Sequence, residues 1–175
     1  MIFTETELRG AFVVELELHV DERGLFARMF CREEFIAHGL DPNIAQCNIS
    51  FNKKMGTLRG LHYQGNPFEE AKLVRCARGA IYDVIVDLRP RSATYRQWIS
   101  VEITQDNRKA IYVPKGFAHG FQTLDDNSEI IYQMSESYHP DHSLGIRWDD
   151  PTLAIIWPPA AQRIISAKDL AYPWL

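Results

Sequence analysis

Ile81-Tyr82-Asp83-Val84-Ile85-Val86-Asp87-Leu88 is a segment in which polar and apolar residues alternate. Asp83 and Asp87 fall on one side of this repeat. The other side is apolar and consists of Tyr82, Val84, Val86 and Leu88. A period of two is typical of a β-strand, because successive side chains point to opposite faces of a sheet. The segment therefore predicts a strand that carries two carboxylates on one face.

The same period recurs along most of the chain. Phe12 to Val20 has an apolar residue at every second position, which predicts one long strand with a dry face. Further strands are predicted over Ile44 to Ser50, Thr57 to Gln64, Ala71 to Arg75, Trp98 to Thr104, Ala110 to Val113 and Glu129 to Ser135. Short turns rich in Gly, Pro, Asn and Asp separate them. This spacing predicts an all-β fold, a jelly roll or a related barrel.

Helix is scarce in the pattern. Arg32 to Gly39 predicts one short helix with an acidic first turn and a glycine stop, and a further turn or two is predicted near Ser166. No repeat, low-complexity tract or linker divides the chain. Its 175 residues therefore predict a single domain over 1–175.

Composition excludes several classes of function. The net charge of −4 and the pI of about 5.9 give no basic footprint for nucleic acid or for an anionic membrane surface. The amino terminus lacks the features of a signal peptide, and nowhere do about 18 apolar residues run together, so we expect a cytoplasmic protein. Three widely spaced cysteines, Cys31, Cys47 and Cys76, favour reduced thiols over a disulfide framework or a zinc site.

Chemistry is expected where cationic groups interrupt buried strands. Arg59 and His62 lie in Gly56 to Gln64, and Lys72 lies in the strand that follows. Burying such groups costs free energy unless they are paired or used. Strict alternation would place Arg59 and His62 on opposite faces, although one pocket needs both. Gly60 between them therefore predicts a bulge that redirects the strand.

A second motif makes the barrel more specific. Pro114-x-Gly116-x-x-His119 resembles the second motif of the cupin superfamily, whose fold is a small jelly-roll barrel. Metal-binding cupins carry a His-x-His pair in the first motif, whereas this chain has His62-Tyr63-Gln64. A stable transition-metal site usually needs three or more nitrogen, oxygen or sulfur ligands. We therefore expect a barrel without a metal.

Taken in order, the motifs resemble the dTDP-4-dehydrorhamnose 3,5-epimerase family. The matching segments are Arg23-Gly24-x-Phe26, Gln46-x-Asn48, Gly56 to His62, Ala71 to Arg75, Asp83-x-x-x-Asp87, Pro114 to Phe121, Tyr132, Gly145 to Pro151 and Ser166-x-x-Asp169. The resemblance implies a cofactor-independent isomerase that inverts C3, C5 or both in a nucleotide-linked 4-keto-6-deoxy sugar. It also implies a place in deoxysugar biosynthesis, for a cell-surface polysaccharide or a natural-product glycoside.

The resemblance implies four catalytic roles. His62 would remove a proton beside the ketone, Asp169 would orient His62, Lys72 would stabilise the enolate oxygen, and Tyr132 would supply a proton on the opposite face. Structural alternatives stand beside all four, since an isolated histidine in a strand is often a satisfied core residue. Tyr132 could be a wall residue, Lys72 could extend from a strand edge, and Asp169 could belong to a capping box with Ser166.

Substrate contacts are implied for a further set of residues: Arg23, Phe26, Gln46, Asn48, Arg59, His119 and Tyr138. Arginines suit a pyrophosphate because the guanidinium binds it in a bidentate manner. His119 would lie at the barrel floor or on the phosphate side. Asp83 would pair with His62 or His119, or simply line the barrel. Family members are dimers, so we expect a homodimer in which amino-terminal strands carry Arg23 and Phe26 to the neighbouring site.

Three positions depart from the family pattern around the nucleotide. Arg28 stands where relatives often have Glu, His19 replaces a common aromatic hydrocarbon, and Tyr138 replaces a base-stacking Trp. A GDP- or CDP-linked sugar and inversion at a single carbon therefore stay open. Two further hypotheses come from other classes: a metal-dependent oxygenase, which the missing His-x-His disfavours, and a non-catalytic sugar-binding protein, which would not need Lys72 or Tyr132.

Overall fold

Two antiparallel sheets face each other in the computed structural model, which describes residues 1–175. Strands are numbered along the chain. The first sheet has the spatial order β1 (Ile2–Glu5), β2 (Phe12–Glu15), β10 (Ala110–Val113), β7 (Lys72–Arg78), β12 (Ser128–Met134) and β5 (Gln46–Asn52). The second has the order β13 (Ser143–Gly145), β6 (Leu58–Gln64), β11 (Phe117–Thr123), β8 (Ala80–Asp87) and β9 (Trp98–Thr104). The predicted all-β jelly-roll barrel is confirmed.

The core lies between the two sheets and on their outer faces. Large apolar side chains from both sheets meet inside, among them Ile81, Ile111, Phe121 and Ile130. Burying a side chain of this size contributes roughly 1.5 to 3 kcal/mol. A second cluster, around Trp157, packs on the outer face of the second sheet. A third, around Phe35, packs on the outer face of the first sheet, so each sheet is buried on both faces.

Most strand predictions hold within two residues, but the long strand over Phe12 to Val20 is wrong. The chain forms β2 (Phe12–Glu15), which pairs with β1 and β10, and then leaves the sheet. Beyond it, β3 (His19–Asp21) and β4 (Gly24–Phe26) form a separate hairpin. Val20 is 73% exposed and Phe26 75% exposed on this hairpin. The alternating pattern correctly marks an apolar face, but it does not say which surface covers that face.

Both predicted helices are present. Helix α1 (Arg32–Ala37) buries Phe35 against the outer face of the first sheet, and Gly39 follows with a φ of 70°. Helix α2 (Ala167–Leu170) begins after Ser166, and a 3-10 turn spans Pro140–His142. No helix is long and apolar enough to cross a membrane.

The bulge predicted at Gly60 is confirmed by the pairing of β6 with β11. His62 pairs with His119 and Arg59 pairs with Phe121, so three steps along β6 match two along β11. Gly60 has a φ of 126°, and a Cβ there would lie 2.5 Å from Cα of Gly120. Only glycine fits this close crossing of two backbones. The extra residue turns Arg59 and His62 toward the same cavity.

Candidate active site

A cavity of about 560 Å³ opens between the two sheets. Strands β5, β7 and β12 of the first sheet line one side, and β6 and β11 of the second sheet line the other. The segment that contains α2 closes part of the rim through Ser166, Lys168 and Asp169. Nine of the eleven site residues predicted from the sequence lie here: His62, Tyr132, Lys72, Asp169, Gln46, Asn48, Arg59, His119 and Tyr138.

His62 and Asp169 form a hydrogen-bonded pair. Nε2 of His62 donates to Oδ1 of Asp169 at 2.7 Å, and the Gly60 N–H lies 3.4 Å from Oδ2. Because a carboxylate can only accept here, the Nε2 atom carries the proton and Nδ1 keeps its lone pair. Burial is the largest single influence and pushes the pKa of Asp169 up. The hydrogen bond and charge of His62, together with hydrogen bonds from Gly60 and Ser166, outweigh burial and hold that pKa below its usual range. Asp169 is therefore a charged orienting group for the imidazole.

Only the Ser166 half of the predicted capping box is present. The backbone N–H of Asp169 donates to Oγ of Ser166 at 3.1 Å, which caps α2. The carboxylate is left free for His62. Asp169 can take part in the helix cap and also orient His62, because the cap uses its main-chain N–H and His62 binds its side chain.

Lys72 is buried in an interior strand, so the strand-edge alternative is wrong. Its Nζ lies 3.0 Å from Oε1 of Glu70 and donates to the carbonyl oxygen of His62 at 3.0 Å. Lys72 is 6% exposed and Glu70 is 7% exposed. A buried ammonium held by a carboxylate and a carbonyl is a fixed positive charge in the lining of this cavity.

Tyr132 faces the cavity from the opposite sheet to His62. It lies on β12, and its ring packs edge-on against His119 with centroids 6.1 Å apart. Burial raises the pKa of the Tyr132 phenol, and the nearby Asp83 carboxylate raises it further, although Arg59 opposes them. The phenol is therefore protonated at neutral pH and able to donate.

His119 pairs with Asp83 at the inner end of the cluster, with Nε2 lying 2.8 Å from Oδ2. Both residues are buried, and Oδ1 of Asp83 has no hydrogen-bond partner. Burial raises the pKa of Asp83, while His119 and Lys72 act against it. Of the alternatives for Asp83, the structure selects pairing with His119.

Gln64, which replaces the second histidine of the metal-cupin motif, holds a loop. Its amide donates to the carbonyl oxygens of Phe68 at 2.9 Å and Ser137 at 3.1 Å, and its Oε1 accepts from the His139 N–H at 2.6 Å. These three bonds engage both N–H groups and the carbonyl oxygen of the Gln64 amide. Nowhere in the chain do three His, Cys, Asp or Glu side chains converge in a way that could hold a metal ion.

The outer part of the cavity is polar and ordered by side-chain amides. Arg59 Nε donates to Oδ1 of Asn52 at 2.7 Å, which directs the remaining guanidinium nitrogens. Gln46 donates to Asn48 at 3.3 Å and accepts from the Tyr138 N–H at 2.8 Å. Gln46 and Asn48 share one face of β5, as the sequence predicts.

Arg23 and Phe26 lie away from this cavity within the single chain. Both belong to the projecting hairpin β3–β4, where Arg23 pairs with Asp21 and its side chain is 86% exposed. An arginine and a phenylalanine presented to solvent on one arm are available to another subunit.

Comparison with known proteins gives the family. The model described as dTDP-4-dehydrorhamnose 3,5-epimerase matches residues 5–175. The chain belongs to this family. It is 44% identical over 169 residues to the dTDP-4-dehydrorhamnose 3,5-epimerase of Methanothermobacter thermautotrophicus, which covers 95% of this chain and 90% of the relative.

Solved structures of the epimerase family have the same fold. The Bacillus anthracis dTDP-4-dehydrorhamnose 3,5-epimerase with TDP and PPi bound superposes with a TM-score of 0.95 at 41% identity, covering 99% of both chains. A Legionella pneumophila enzyme in complex with dTDP-4-keto-L-rhamnose superposes with a TM-score of 0.94 at 35% identity, covering 99% of this chain and 92% of that one.

Sequence reasoning missed several residues of this epimerase-family cavity, notably Glu70, Ser143, Lys168 and Tyr172. Two of them left a signal in their spacing. Glu70 stands two residues before Lys72, so on a strand both face the same side. Tyr172 stands three residues after Asp169, which is about one helical turn.

Proposed function

We propose that the protein is a dTDP-4-dehydrorhamnose 3,5-epimerase, an isomerase that inverts C3 and C5 of a dTDP-linked 4-keto-6-deoxyhexose in rhamnose biosynthesis. One observation carries the proposal. A carboxylate-bound imidazole on β6 and a protonated phenol on β12 face one cavity from opposite sheets, and the Lys72 ammonium is bound to the backbone carbonyl of His62 in the same cavity. Inversion needs a base and an acid on opposite faces of a carbon, and this arrangement supplies them.

The proposed reaction starts at His62. Its Nδ1 lone pair takes the proton from a carbon next to the C4 ketone, and the electron pair of the C–H bond moves to the C4 oxygen to give an enolate. The Asp169 carboxylate stabilises the imidazolium that forms, because it accepts from Nε2 in both protonation states. Lys72 offers a positive charge to the enolate oxygen.

Tyr132 completes the inversion from the other face. Its phenol delivers a proton to the carbon as the enolate collapses to the ketone, and the resulting phenolate and imidazolium are reset by exchange with solvent. Because the pKa of Tyr132 is raised, the phenol is the form restored at neutral pH after each turnover. The same four groups serve C3 and C5 in turn, provided that the sugar ring presents each carbon to His62.

Substrate recognition is proposed for the polar outer cavity. Arg59 and His119 would contact the diphosphate or the sugar, and Gln46, Asn48 and Tyr138 would contact the nucleoside. Tyr138 is 56% exposed, which leaves its ring free to stack on a base. The bound TDP of the Bacillus anthracis relative supports a thymidine nucleotide.

A homodimer is part of the proposal. The hairpin β3–β4 exposes Val20, Leu25 and Phe26, which a monomer would leave in water. Seated on a second copy, it would bury these residues and bring Arg23 and Phe26 to the partner's cavity. We also propose that residues 1–175 act as one domain, and that three free cysteines reflect a reducing cytoplasm.

The decisive experiment is NMR in deuterated water with dTDP-, GDP- and CDP-linked 4-keto-6-deoxyhexoses. We expect deuterium at both C3 and C5 of the dTDP sugar, with product of inverted configuration. Exchange at one carbon alone would show that the protein is an epimerase of a single centre. Preference for the GDP- or CDP-linked sugar would show that the substrate carries that nucleotide and not dTDP. The absence of exchange in all three sugars would contradict the epimerase proposal.

A further inference from the structure

Tyr172 is an aromatic residue that packs against the proposed base. Its ring centroid lies 5.6 Å from that of His62 at an interplanar angle of 63°. Tyr172 follows Asp169 by three residues, so the short segment that orders Asp169 also delivers this ring to the imidazole. His62 is thus held by one segment through two contacts, a hydrogen bond at Nε2 and an aromatic contact with the ring.

Gly145 provides the space for the ring. It pairs with His62 across β13 and β6, and a Cβ at this position would lie 2.5 Å from Cε2 of Tyr172. The φ of Gly145 lies outside the left-handed region, so space and not backbone conformation requires glycine here. The strand next to the base is therefore shaped to receive Tyr172.

The tail that carries Tyr172 is fixed on both sides of it. The Arg147 guanidinium donates to the carbonyl oxygen of Leu170 at 2.9 Å, and the Arg147 N–H donates to that of Pro173 at 3.0 Å. The Leu175 N–H donates to Asp150 at 2.6 Å. These bonds hold the ring in place although α2 has only four residues.

We propose that Tyr172 is a positioning residue that fixes the His62 imidazole and shields its hydrogen bond to Asp169 from water. Its catalytic consequence rests on the proposed function of His62 as the base. Shielding matters because a hydrogen bond to a charged group weakens as water gains access to it. A fixed ring also keeps Nδ1 aimed into the cavity, and small misplacements of a catalytic group are costly.

The ring carries this role, and the hydroxyl does not. The Tyr172 hydroxyl is buried and makes no hydrogen bond within the usual distance, while the Lys168 ammonium lies 5.9 Å from the ring centroid. An unsatisfied buried hydroxyl lowers stability. Tyr172→Phe should therefore raise the melting temperature or leave it unchanged, and should preserve the contact with His62.

Four variants test the proposal: Tyr172→Leu removes the ring, Tyr172→Phe keeps it, Gly145→Ala displaces it, and Trp174→Leu is the matched control. Trp174 lies in the same tail, is 61% exposed and is absent from the cavity lining. We expect Tyr172→Leu and Gly145→Ala to lower kcat about 10- to 100-fold with KM within about threefold. Tyr172→Phe and Trp174→Leu should stay within about threefold of the parent protein in both constants.

A spectroscopic signature separates positioning from general damage to the fold. The Nε2 proton of His62, assigned through Asp169→Asn, should give a protected low-field resonance in the parent protein and in Tyr172→Phe. It should be lost to exchange with water in Tyr172→Leu and Gly145→Ala. Gly145→Ala should have no further effect in the Tyr172→Leu background, because the added methyl then meets no ring.

Some outcomes would overturn the inference. One is a resonance of full intensity in Tyr172→Leu, another is its absence from the parent protein, and a third is an equal loss of kcat in Tyr172→Phe. The resonance is measured without substrate. If no 4-keto sugar is turned over, the proposed function fails while the NMR result still decides the placement of Tyr172.

Discussion

Asp169 accepts a hydrogen bond from Nε2 of His62 at 2.7 Å, across 107 residues of sequence. The bond assigns the proton to Nε2 and leaves Nδ1 as the basic atom. Asp169→Asn should lower kcat roughly 10² to 10⁴-fold, because the amide neither fixes this tautomer nor stabilises the imidazolium. Steady-state kinetics with the dTDP-4-keto sugar measures the loss.

Ser166→Ala is the matched control for Asp169→Asn. It removes the hydroxyl that caps α2 and leaves the carboxylate in place. We expect a loss of about 1 kcal/mol in the free energy of unfolding and a much smaller loss of kcat. If the two variants lost the same activity, Asp169 would act through the helix cap and not through His62.

Tyr132→Phe should separate proton removal from inversion. The His62 face is unchanged in this variant, so deuterium should still enter the substrate, while inversion falls roughly 10² to 10⁴-fold. Tyr82→Phe is the control, since Tyr82 lies on the outer face of the second sheet near Trp157. Unimpaired inversion in Tyr132→Phe would assign the acid to another group.

The buried pair of Glu70 and Lys72 should show strong coupling. Glu70→Met or Lys72→Met alone leaves the other charge buried without its partner. The Oε2 atom of Glu70 has no hydrogen-bond partner in the native protein. Each single change should cost about 3 to 5 kcal/mol in the free energy of unfolding. The double variant Glu70→Met with Lys72→Met should recover most of this loss without recovering activity. Additive losses in denaturant unfolding would show that the two charges are not coupled.

Asp87 should control stability in acid. Burial alone would raise its pKa, but hydrogen bonds from Arg89, Ser92 and Thr94 lower it to about 2, against an ordinary value of 3.8. A depressed carboxyl pKa stabilises the fold above the unfolded value, and that contribution is lost as the pH falls from about 4 to about 2. It amounts to roughly 2 kcal/mol at neutral pH.

Asp87→Asn should therefore lower the free energy of unfolding by at least this amount at neutral pH. It should also make the free energy of unfolding depend less steeply on pH between about 4 and 2. The control is Asp126→Asn, because Asp126 pairs with Lys54 on the exposed surface and should contribute little. Urea unfolding at pH values between 7 and 2 measures both. If the loss of stability between about pH 4 and pH 2 were equally steep in Asp87→Asn, a group other than Asp87 would be responsible for it.

Mixed dimers test the exchange of the hairpin. Arg23→Ala should impair the partner's cavity, and His62→Ala should inactivate its own. Random mixing of the two inactive proteins should restore about one quarter of the parent activity, since half of the dimers then hold one complete site. No recovery on mixing, in a dimer shown to exchange subunits, would mean that Arg23 does not serve the neighbouring site.

Local sequence was sufficient for strands β5 to β10 and β12, for the helix caps and for one irregularity. The alternation over Trp98–Thr104 and the apolar run Ala110–Val113 predict both strands with their observed bounds. Gly60, between two polar residues wanted in one pocket, predicts the bulge. These features depend on neighbouring residues and on a single backbone crossing, so the sequence around them contains the necessary information.

Other features depended on surfaces that are distant in the chain. The pattern over Phe12 to Val20 could not show that the sheet ends at Glu15, because that depends on where β1 and β10 stop pairing. Tyr172 was missed because its significance comes from His62, which it reaches only after folding.

The sequence by itself determined the all-β barrel, the family and the candidate catalytic groups, because strand period and motif order are properties of the chain. Only the tertiary structure decided which of those groups are hydrogen-bonded or ion-paired with one another. It placed Asp169 on Nε2 of His62, Asp83 on His119 and Glu70 on Lys72, and it set Tyr132 on the opposite sheet. These pairings follow from the register between strands and from the packing of the carboxy-terminal tail, which fix interatomic distances that no local pattern encodes.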